Sequence, residues 1–304
     1  MTDRLRPAPT ERSLAELLSF SVVNLDKPAG PSAHQVAGWV RDLADDAATE
    51  LDPSGPAVDR AAHAGTLDPK VTGCLPLLLG EATRMAQVFL EGRKEYVSVL
   101  ELHGPPPTNL ESVLETFEAP LYQKPPRKSA VSRRLRVREI YELSLLDVRD
   151  RQALVRVQCE SGTYIRKLCH DLGLAAGTGG HMGHLRRTAT DPFDDSSLVN
   201  LQEFVDGLVF AQEGDETLLR EILNPAERAL AHLPSVTIAP SAARNVATGA
   251  PVYAPGVISA DDDIEMGALV ACYTPNGSAV CLGSMAGDPA GDSGVVVDLE
   301  AVLV

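Results

Sequence analysis

Short apolar runs separated by polar turns predict several strands in the first two-thirds of the chain. Residues 20–25 (FSVVNL) and 75–79 (LPLLL) are nearly continuous apolar runs, which are typical of buried strands. Residues 95–103 and 154–159 alternate between apolar and polar positions, which indicates strands that are buried on one face.

Apolar residues at helical spacing predict helices between these strands. Ser32 is suited to cap a helix whose apolar face is formed by Val36, Val40 and Leu43. Thr108 and Glu111 match the pattern of a capping box and predict a second helix. Further helices are predicted at residues 81–90 and 164–174. The mixture of strands and helices indicates an α+β domain.

The last part of the chain has a different pattern. After a connecting segment at 225–234 come short Val-rich runs broken by Gly and Pro, at residues 246–253, 268–273, 279–283 and 295–299. Such spacing predicts a small β-barrel. At the other end, polar residues 1–19 are expected to form a loosely attached arm. The acidic, Ala- and Pro-rich residues 45–60 are expected to form a solvated insertion.

The charge of the chain is unevenly distributed. Residues 1–190 contain 24 basic and 24 acidic residues, whereas residues 191–304 contain 3 basic and 18 acidic residues, so the net charge of −15 lies entirely in the last part. This change in composition indicates a domain boundary. Because only 6 of the 27 basic residues are Lys, the acidic surface favours a high-salt cytoplasm, where charges are strongly screened. The alternative is an acidic C-terminal domain in an ordinary cell.

The composition also excludes several classes of protein. No apolar run approaches the roughly 18–20 residues of a membrane span, and the N-terminus lacks the apolar segment of a secretory signal. The five cysteines are odd in number and lack C-x-x-C spacing, which argues against a disulfide framework or a Cys-based zinc site and favours a reducing cytoplasm. His170, His181 and His184 lack a Cys or Glu that would complete a recognised metal-ligand spacing, so we expect core or RNA-facing histidines and no metal.

Two polar groups are candidates for catalysis. Asp68 lies between Leu67 and the rigid Pro69 in a loop flanked by Gly65 and Gly73, where a carboxylate can serve as a nucleophile or a general base. The alternative is an ordinary Asp-Pro turn.

Arg166 falls in the first turn of a predicted helix, at the end that the helix dipole makes unfavourable for a cation. We therefore expect a negative partner, either a phosphate or a carboxylate such as Asp68. The alternative is a surface arginine that is paired with Asp171 or with solvent.

A basic stripe predicts where a polyanion binds. We define the stripe as residues 124–138, in which 7 of 15 positions are basic and none is acidic; it includes Arg133, Arg134 and Arg136. In a domain with no net charge, such a stripe is the electrostatic footprint of a nucleic-acid site. Arg186 and Arg187 form a second basic patch. The alternative is a solvated basic loop.

Five blocks of sequence, in this order, resemble the TruB-type RNA pseudouridine synthases, and within them the dyskerin-like branch of archaea and eukaryotes. They are residues 25–31 (LDKPAGP), 63–69 (HAGTLDP), 94–96 (KEY), 162–171 (GTYIRKLCHD) and 181–188 (HMGHLRRT). The resemblance implies a mixed-sheet catalytic domain at 20–228 and a PUA domain, the expected small barrel, at 229–304, after the arm at 1–19.

The resemblance also implies an activity and a set of roles. It implies isomerisation of uridine to pseudouridine without a cofactor, in the T-loop of tRNA or, directed by a guide RNA, in rRNA. It implies that Asp68 is the catalytic aspartate, that Tyr96 stacks on the target base and that Arg166 pairs with Asp68. It implies that His63 helps to hold the flipped conformation and that Leu185 lines the uracil pocket. We also expect Lys27 and the basic residues named above to bind the substrate. The implied partners are RNA and the small accessory proteins of an H/ACA particle, in which the chain is a monomeric catalytic subunit.

Two other classes of function remain to be weighed. A non-catalytic RNA-binding scaffold of the same fold conflicts with the intact set of Asp68, Tyr96 and Arg166. A hydrolase with a carboxylate nucleophile needs a second acid–base carboxylate beside Asp68, where the sequence offers Arg166 instead. The acidic PUA-like region departs from the family pattern, since RNA-binding PUA domains usually carry basic residues.

Overall fold

The computed structural model describes residues 5–90, 92–125, 132 and 134–304. Its α-helices are α1 (Leu14–Ser19), α2 (Ala33–Leu51), α3 (Leu110–Glu115), α4 (Ile165–Ala175), α5 (Leu201–Gln212), α6 (Thr217–Ile222) and α7 (Pro240–Ala247). Turns of 3-10 helix lie at Pro9–Glu11, Glu81–Leu90, Asp195–Ser197, Ala226–Leu230 and Ala254–Gly256. In the described ranges, no helix has the length and apolar character needed to cross a membrane.

The strands fall into two sheets. The first contains β1 (Phe20–Lys27), β2 (Ala61–His63), β3 (Thr72–Gly80), β4 (Lys94–Leu102), β5 (Pro120–Gln123), β6 (Arg136–Arg149), β7 (Gln152–Cys159), β8 (Gly180–Thr190), β9 (Phe193–Asp194) and β10 (Leu223–Pro225). The second contains β11 (Ser235–Ile238), β12 (Val252–Tyr253), β13 (Val257–Ala260), β14 (Leu269–Tyr273), β15 (Ala279–Met285) and β16 (Val295–Val302).

The first sheet is mixed, and its centre is buried on both faces. The strand order is β10-β1-β3-β8-β4-β7-β6-β5, with β2 added to β3 and β9 added to β8. The β3–β8 pair is parallel, whereas the other pairs in this sheet are antiparallel. Strand β3 is apolar throughout because Leu75, Leu77 and Leu79 pack in one core while Cys74 and Leu78 pack in another.

The second sheet forms the small, nearly closed β-structure that the Val-rich runs predict. Its strand order is β12-β16-β15-β14-β11-β13, around a core that includes Val236, Val270 and Val296. The expected strand at 246–253 is correct only at its end, because Val246 belongs to α7 and β12 begins at Val252. The α+β class and the C-terminal β-domain are therefore confirmed.

The N-terminal segment is not the loose polar arm that was expected. Helix α1 buries Leu14, Leu17 and Leu18, and Ser13 and Glu16 form a capping box at its N-terminus. Before the helix, the guanidinium of Arg12 is buried and forms two hydrogen bonds, of 2.6 and 2.9 Å, to the Glu227 carboxylate. The polar composition is misleading here because Arg12 is buried inside the protein.

Two local expectations also differ from the structure. Helix α2 continues to Leu51, and the Asp45 carboxylate accepts a hydrogen bond of 2.8 Å from the backbone N–H of Val58, so residues 45–60 are not a solvated insertion. The capping box of Thr108 and Glu111 is not formed, because α3 begins at Leu110 and its N-cap, Asn109, makes no side-chain cap. The Ser32 cap of α2 is confirmed.

Candidate active site

The Asp68 loop, which we define as residues 64–71, connects β2 to β3. Its turn is closed by a hydrogen bond of 2.9 Å from the backbone N–H of Val71 to the Asp68 carbonyl. Gly73, just beyond the loop, has φ +97°, and a Cβ there would lie 2.2 Å from the Arg187 carbonyl oxygen. Only glycine fits between β3 and β8 at this point.

Asp68 and Arg166 form the ion pair that the resemblance implies. Arg166 Nη2, in the first turn of α4, lies 3.0 Å from Asp68 Oδ2. The Asp68 side chain is 50% exposed and the Arg166 side chain is 45% exposed. The Asp68 carboxylate therefore offsets both the charge of Arg166 and the positive end of the α4 dipole, while the pair remains open to a substrate.

Lys27 does not reach the surface, so its expected contact with RNA is wrong. Its ammonium group donates hydrogen bonds to the backbone carbonyls of Pro28 (2.9 Å), Pro69 (3.1 Å) and Val71 (2.9 Å). The side chain is fully buried. Desolvation lowers the pKa of Lys27, and the Asp68 carboxylate opposes this shift. Lys27 thus holds the end of the Asp68 loop from inside the protein.

The second basic patch is also not a surface patch. The Arg187 side chain is 1% exposed; its Nε donates to the Cys74 carbonyl at 2.7 Å, and its Nη2 donates to the Gly65 carbonyl at 3.3 Å. Arg186 is partly exposed, but its guanidinium forms a two-bond pair with Asp26, at 2.9 and 3.0 Å. The prediction of an RNA contact is therefore wrong for Arg187, which is buried, and stays a prediction for Arg186, which is partly exposed.

Tyr96 and Leu185 lie where two cores meet. Both are partly buried and pack against the α2 side and the α4 side of the sheet. On β4 and β8, Tyr96 pairs with Arg187 and Ser98 pairs with Leu185. Desolvation raises the pKa of Tyr96, and the nearby Arg187 guanidinium opposes the rise. These two side chains can supply an aromatic face and an apolar wall beside the Asp68 loop.

His63 ends β2 immediately before the Asp68 loop. Its side chain is partly buried, and its Nδ1 atom has no hydrogen-bond partner among the described residues. Burial lowers the pKa of His63, and Arg187 and His34 lower it further. The neutral imidazole is therefore favoured in this structure.

The basic stripe is only partly described. Arg133 and residues 126–131 lie outside the described residues, so the prediction for Arg133 cannot be placed. Arg134 is exposed, Arg136 is partly exposed at the start of β6, and Arg138 is paired with Glu160 at 2.8 Å. Arg134 and Arg136 thus remain the candidates for phosphate contact in this stripe.

The histidines and cysteines form no recognisable metal centre in the part of the chain that the structure describes. His181 Nδ1 lies 3.1 Å from His103 Nε2 at the surface, and His170 and His184 are exposed. All five cysteines are buried and unpaired.

The sequence reasoning missed the two internal cations that hold the Asp68 loop. Lys27 and Arg187 were interpreted as RNA contacts because sequence alone does not distinguish a buried cation from an exposed one. The sequence does contain one signal of these roles. Lys27 lies two residues after the apolar run at 20–25, and Gly65 and Gly73 mark places where another chain segment can approach closely.

Four family models match the chain. The TruB family pseudouridylate synthase N-terminal domain matches residues 56–109, and the tRNA pseudouridylate synthase B C-terminal domain matches 166–231. The DKCLD (NUC011) domain matches 7–37, and the PUA domain matches 234–289.

Relatives of known name are similar over nearly the whole chain. "Probable tRNA pseudouridine synthase B" of Halobacterium salinarum is 60% identical over 99% of both chains. The protein of the same name from Methanosarcina acetivorans is 46% identical over 90% of this chain and 78% of its own length. The Halobacterium relative fits the high-salt interpretation of the composition.

Solved structures show the same architecture. A chain in a crystal structure of a Cbf5-Nop10-Gar1 complex superposes with a TM-score of 0.89 and 39% identity, covering 98% of this chain and 89% of that one. A chain in an H/ACA RNP bound to a substrate RNA containing 2'-deoxyuridine superposes with a TM-score of 0.87 and 36% identity, covering 99% and 92%.

Proposed function

The chain belongs to the TruB family of pseudouridine synthases, enzymes that isomerise uridine to pseudouridine, and we propose that it acts through Asp68 on tRNA and on guide-directed sites in rRNA. The observation that carries this proposal is the half-exposed ion pair between Asp68 and Arg166. A scaffold that only bound RNA would not need a solvent-accessible carboxylate that is held in an ion pair in the Asp68 loop.

The isomerisation requires no net redox change and no added group. The N1–C1′ bond of uridine breaks, a C5–C1′ bond forms, the proton at C5 leaves and a proton is gained at N1. The target base must first leave its stack to enter a protein pocket. The Asp68 carboxylate can then add to the ribose, add to the base or accept the proton, and each of these three routes needs it ionised. Arg166 orients the carboxylate through their ion pair.

The walls of the site fit a flipped pyrimidine. Tyr96 offers an aromatic face for stacking, and Leu185 offers an apolar wall. We propose that His63, immediately before the Asp68 loop, helps to hold the flipped nucleotide. Arg134 and Arg136 would contact the phosphate backbone farther from the site.

Two kinds of substrate follow from the relatives and the solved structures. Relatives that match the full chain carry the name of a tRNA pseudouridine synthase, which supports the T-loop uridine of tRNA as a substrate. Similar solved chains come from a Cbf5-Nop10-Gar1 complex and from an H/ACA RNP bound to a substrate RNA, which supports a second role as the catalytic subunit with a guide RNA and small accessory proteins. We also propose a cytoplasmic location, which the five buried, unpaired thiols support.

The test is a reconstitution at high salt with pseudouridine mapping. One arm contains the protein and a tRNA transcript; the other contains an rRNA fragment, a complementary guide RNA and the accessory proteins. We expect pseudouridine in both arms, and in the rRNA arm only when the guide is present. Asp68→Asn protein serves as the chemical control in each arm. No product in either arm would overturn the proposal, and product in one arm alone would restrict it to that substrate.

A further inference from the structure

The start of the Asp68 loop and Tyr96 both lie next to one buried cation, Arg187. Its side chain is among the largest fully buried ones in the described part of the chain. Among the described residues, no carboxylate is within ion-pair distance of its guanidinium. A buried guanidinium without a carboxylate must be satisfied by neutral acceptors, since its charge is costly to desolvate.

One set of acceptors belongs to the Asp68 loop and the strand after it. Arg187 Nε binds the carbonyl of Cys74 on β3, and Nη2 binds the carbonyl of Gly65, three residues before Asp68. A Cβ at Gly65 would lie 3.4 Å from Nη1 of the same guanidinium. Arg187 therefore holds the start of the loop, as Lys27 holds its end.

The other neighbour of the guanidinium is Tyr96. Tyr96 and Arg187 are directly opposed on β4 and β8, and the guanidinium opposes the rise in the pKa of Tyr96 that burial causes. Because arginine has only donors, a hydrogen bond from it to the phenol would use the tyrosine oxygen as the acceptor.

We propose that Arg187 is a positioning residue for the isomerisation: it fixes the start of the Asp68 loop through Gly65 and orients the Tyr96 hydroxyl at the same time. This inference rests on the proposed function of the Asp68 site. It distinguishes Arg187 from Arg166, because Arg187 acts through a backbone carbonyl and a phenol and does not meet the substrate.

The test compares Arg187→Lys and Arg187→Met with wild-type protein by single-turnover kinetics on tRNA. We expect the methionine variant to lose about 100-fold in kcat, the order of loss for a misplacement of about 1 Å, with KM nearly unchanged. The lysine variant should recover part of the loss, since it keeps the charge but not the planar fork. Equal activity of wild-type protein and both variants would overturn the inference alone, whereas inactive wild-type protein would overturn the proposed function.

A spectroscopic readout separates positioning from general destabilisation. In protein labelled with 3-fluorotyrosine, the Tyr96 resonance is assigned with Tyr96→Phe and followed by ¹⁹F NMR. It should shift in Arg187→Lys, and it should not shift in Arg12→Lys, a matched variant of another buried arginine that is paired with Glu227. Thermal melts check folding, and the lysine variant keeps the test open if the methionine variant does not fold. An unshifted Tyr96 resonance in folded Arg187→Lys would overturn the orienting role.

Discussion

Arg166 and Asp68 form an ion pair of 3.0 Å although about half of each side chain is exposed. An exposed pair of this kind contributes little to stability, so we expect its role to be the orientation of the carboxylate. Arg166→Lys should therefore lose about 100-fold in kcat, because a point charge replaces a planar donor fork. Thermal stability should be nearly unchanged. The matched control is Arg220→Lys. It alters a surface ion pair between Arg220, on α6, and Glu216, the residue that precedes this helix. Wild-type kcat in Arg166→Lys would contradict the role of this pair.

Asp68→Asn should abolish isomerisation and leave RNA affinity almost intact. The amide keeps the shape of the side chain but cannot act as a nucleophile or a base, whereas binding rests on contacts with the RNA backbone. Pseudouridine mapping measures the first effect and filter binding the second. If the variant turned over at a rate close to that of wild-type protein, Asp68 would not be the catalytic group.

Much of this site could be predicted from sequence because its chemistry lies in short, local motifs. The turn that presents Asp68 needs only Gly and Pro at fixed positions, and the place of Arg166 at a helix start follows from helical periodicity. The roles of Lys27 and Arg187 could not be predicted in the same way, because their partners are backbone carbonyls brought close by the β1–β3 and β3–β8 pairings. A backbone carbonyl has no signature in sequence. Helix α1 could not be predicted for a related reason. Its buried leucines follow a polar segment, and the sequence does not show that Arg12 in this segment is buried against Glu227.

Lys27→Met should destabilise the protein and impair catalysis together. The substitution removes the donor to the carbonyls of Pro28 and Val71, whereas the Pro69 carbonyl still accepts a hydrogen bond of 2.8 Å from the backbone N–H of Gly30. One unsatisfied buried group costs about 1–3 kcal/mol, so we expect a loss of about 2 kcal/mol or more in the free energy of unfolding. Urea unfolding measures it. Lys70→Met removes an exposed lysine within the same loop and should cost much less. Equal losses of stability in the two variants would contradict the role of Lys27 in holding the end of the Asp68 loop.

Lys94 should make stability rise with pH in alkaline solution. Its ammonium group is buried and donates to the Phe89 carbonyl at 2.8 Å, and desolvation lowers its pKa from 10.5 to about 8. Between these values the unfolded chain binds the proton more tightly than the folded protein, so raising the pH favours the folded state. Below about pH 8 both states are protonated, and this contribution to the pH dependence disappears. Lys94→Met should lack the rise between pH 8 and 10.5, measured by urea unfolding at each pH. Parallel curves for the two proteins would show that Lys94 is not the titrating group.

The last prediction concerns how an enzyme with a net charge of −15 attracts RNA. If RNA docks along the basic stripe, replacing Arg134 and Arg136 by Ala removes two phosphate contacts. The slope of log affinity against log salt should then become shallower by nearly two units, at about 0.9 unit per contact.

The matched variant replaces two exposed acids of the C-terminal domain, Asp262 and Asp263, by Asn. Asp261 is left unchanged because it accepts a hydrogen bond of 2.7 Å from the backbone N–H of Ser235. This variant removes no phosphate contact, so its slope should stay nearly the same while its affinity rises chiefly at low salt, where repulsion is unscreened. Binding to tRNA across a salt series measures both slopes. An unchanged slope for the arginine variant would mean that RNA binds elsewhere on the protein.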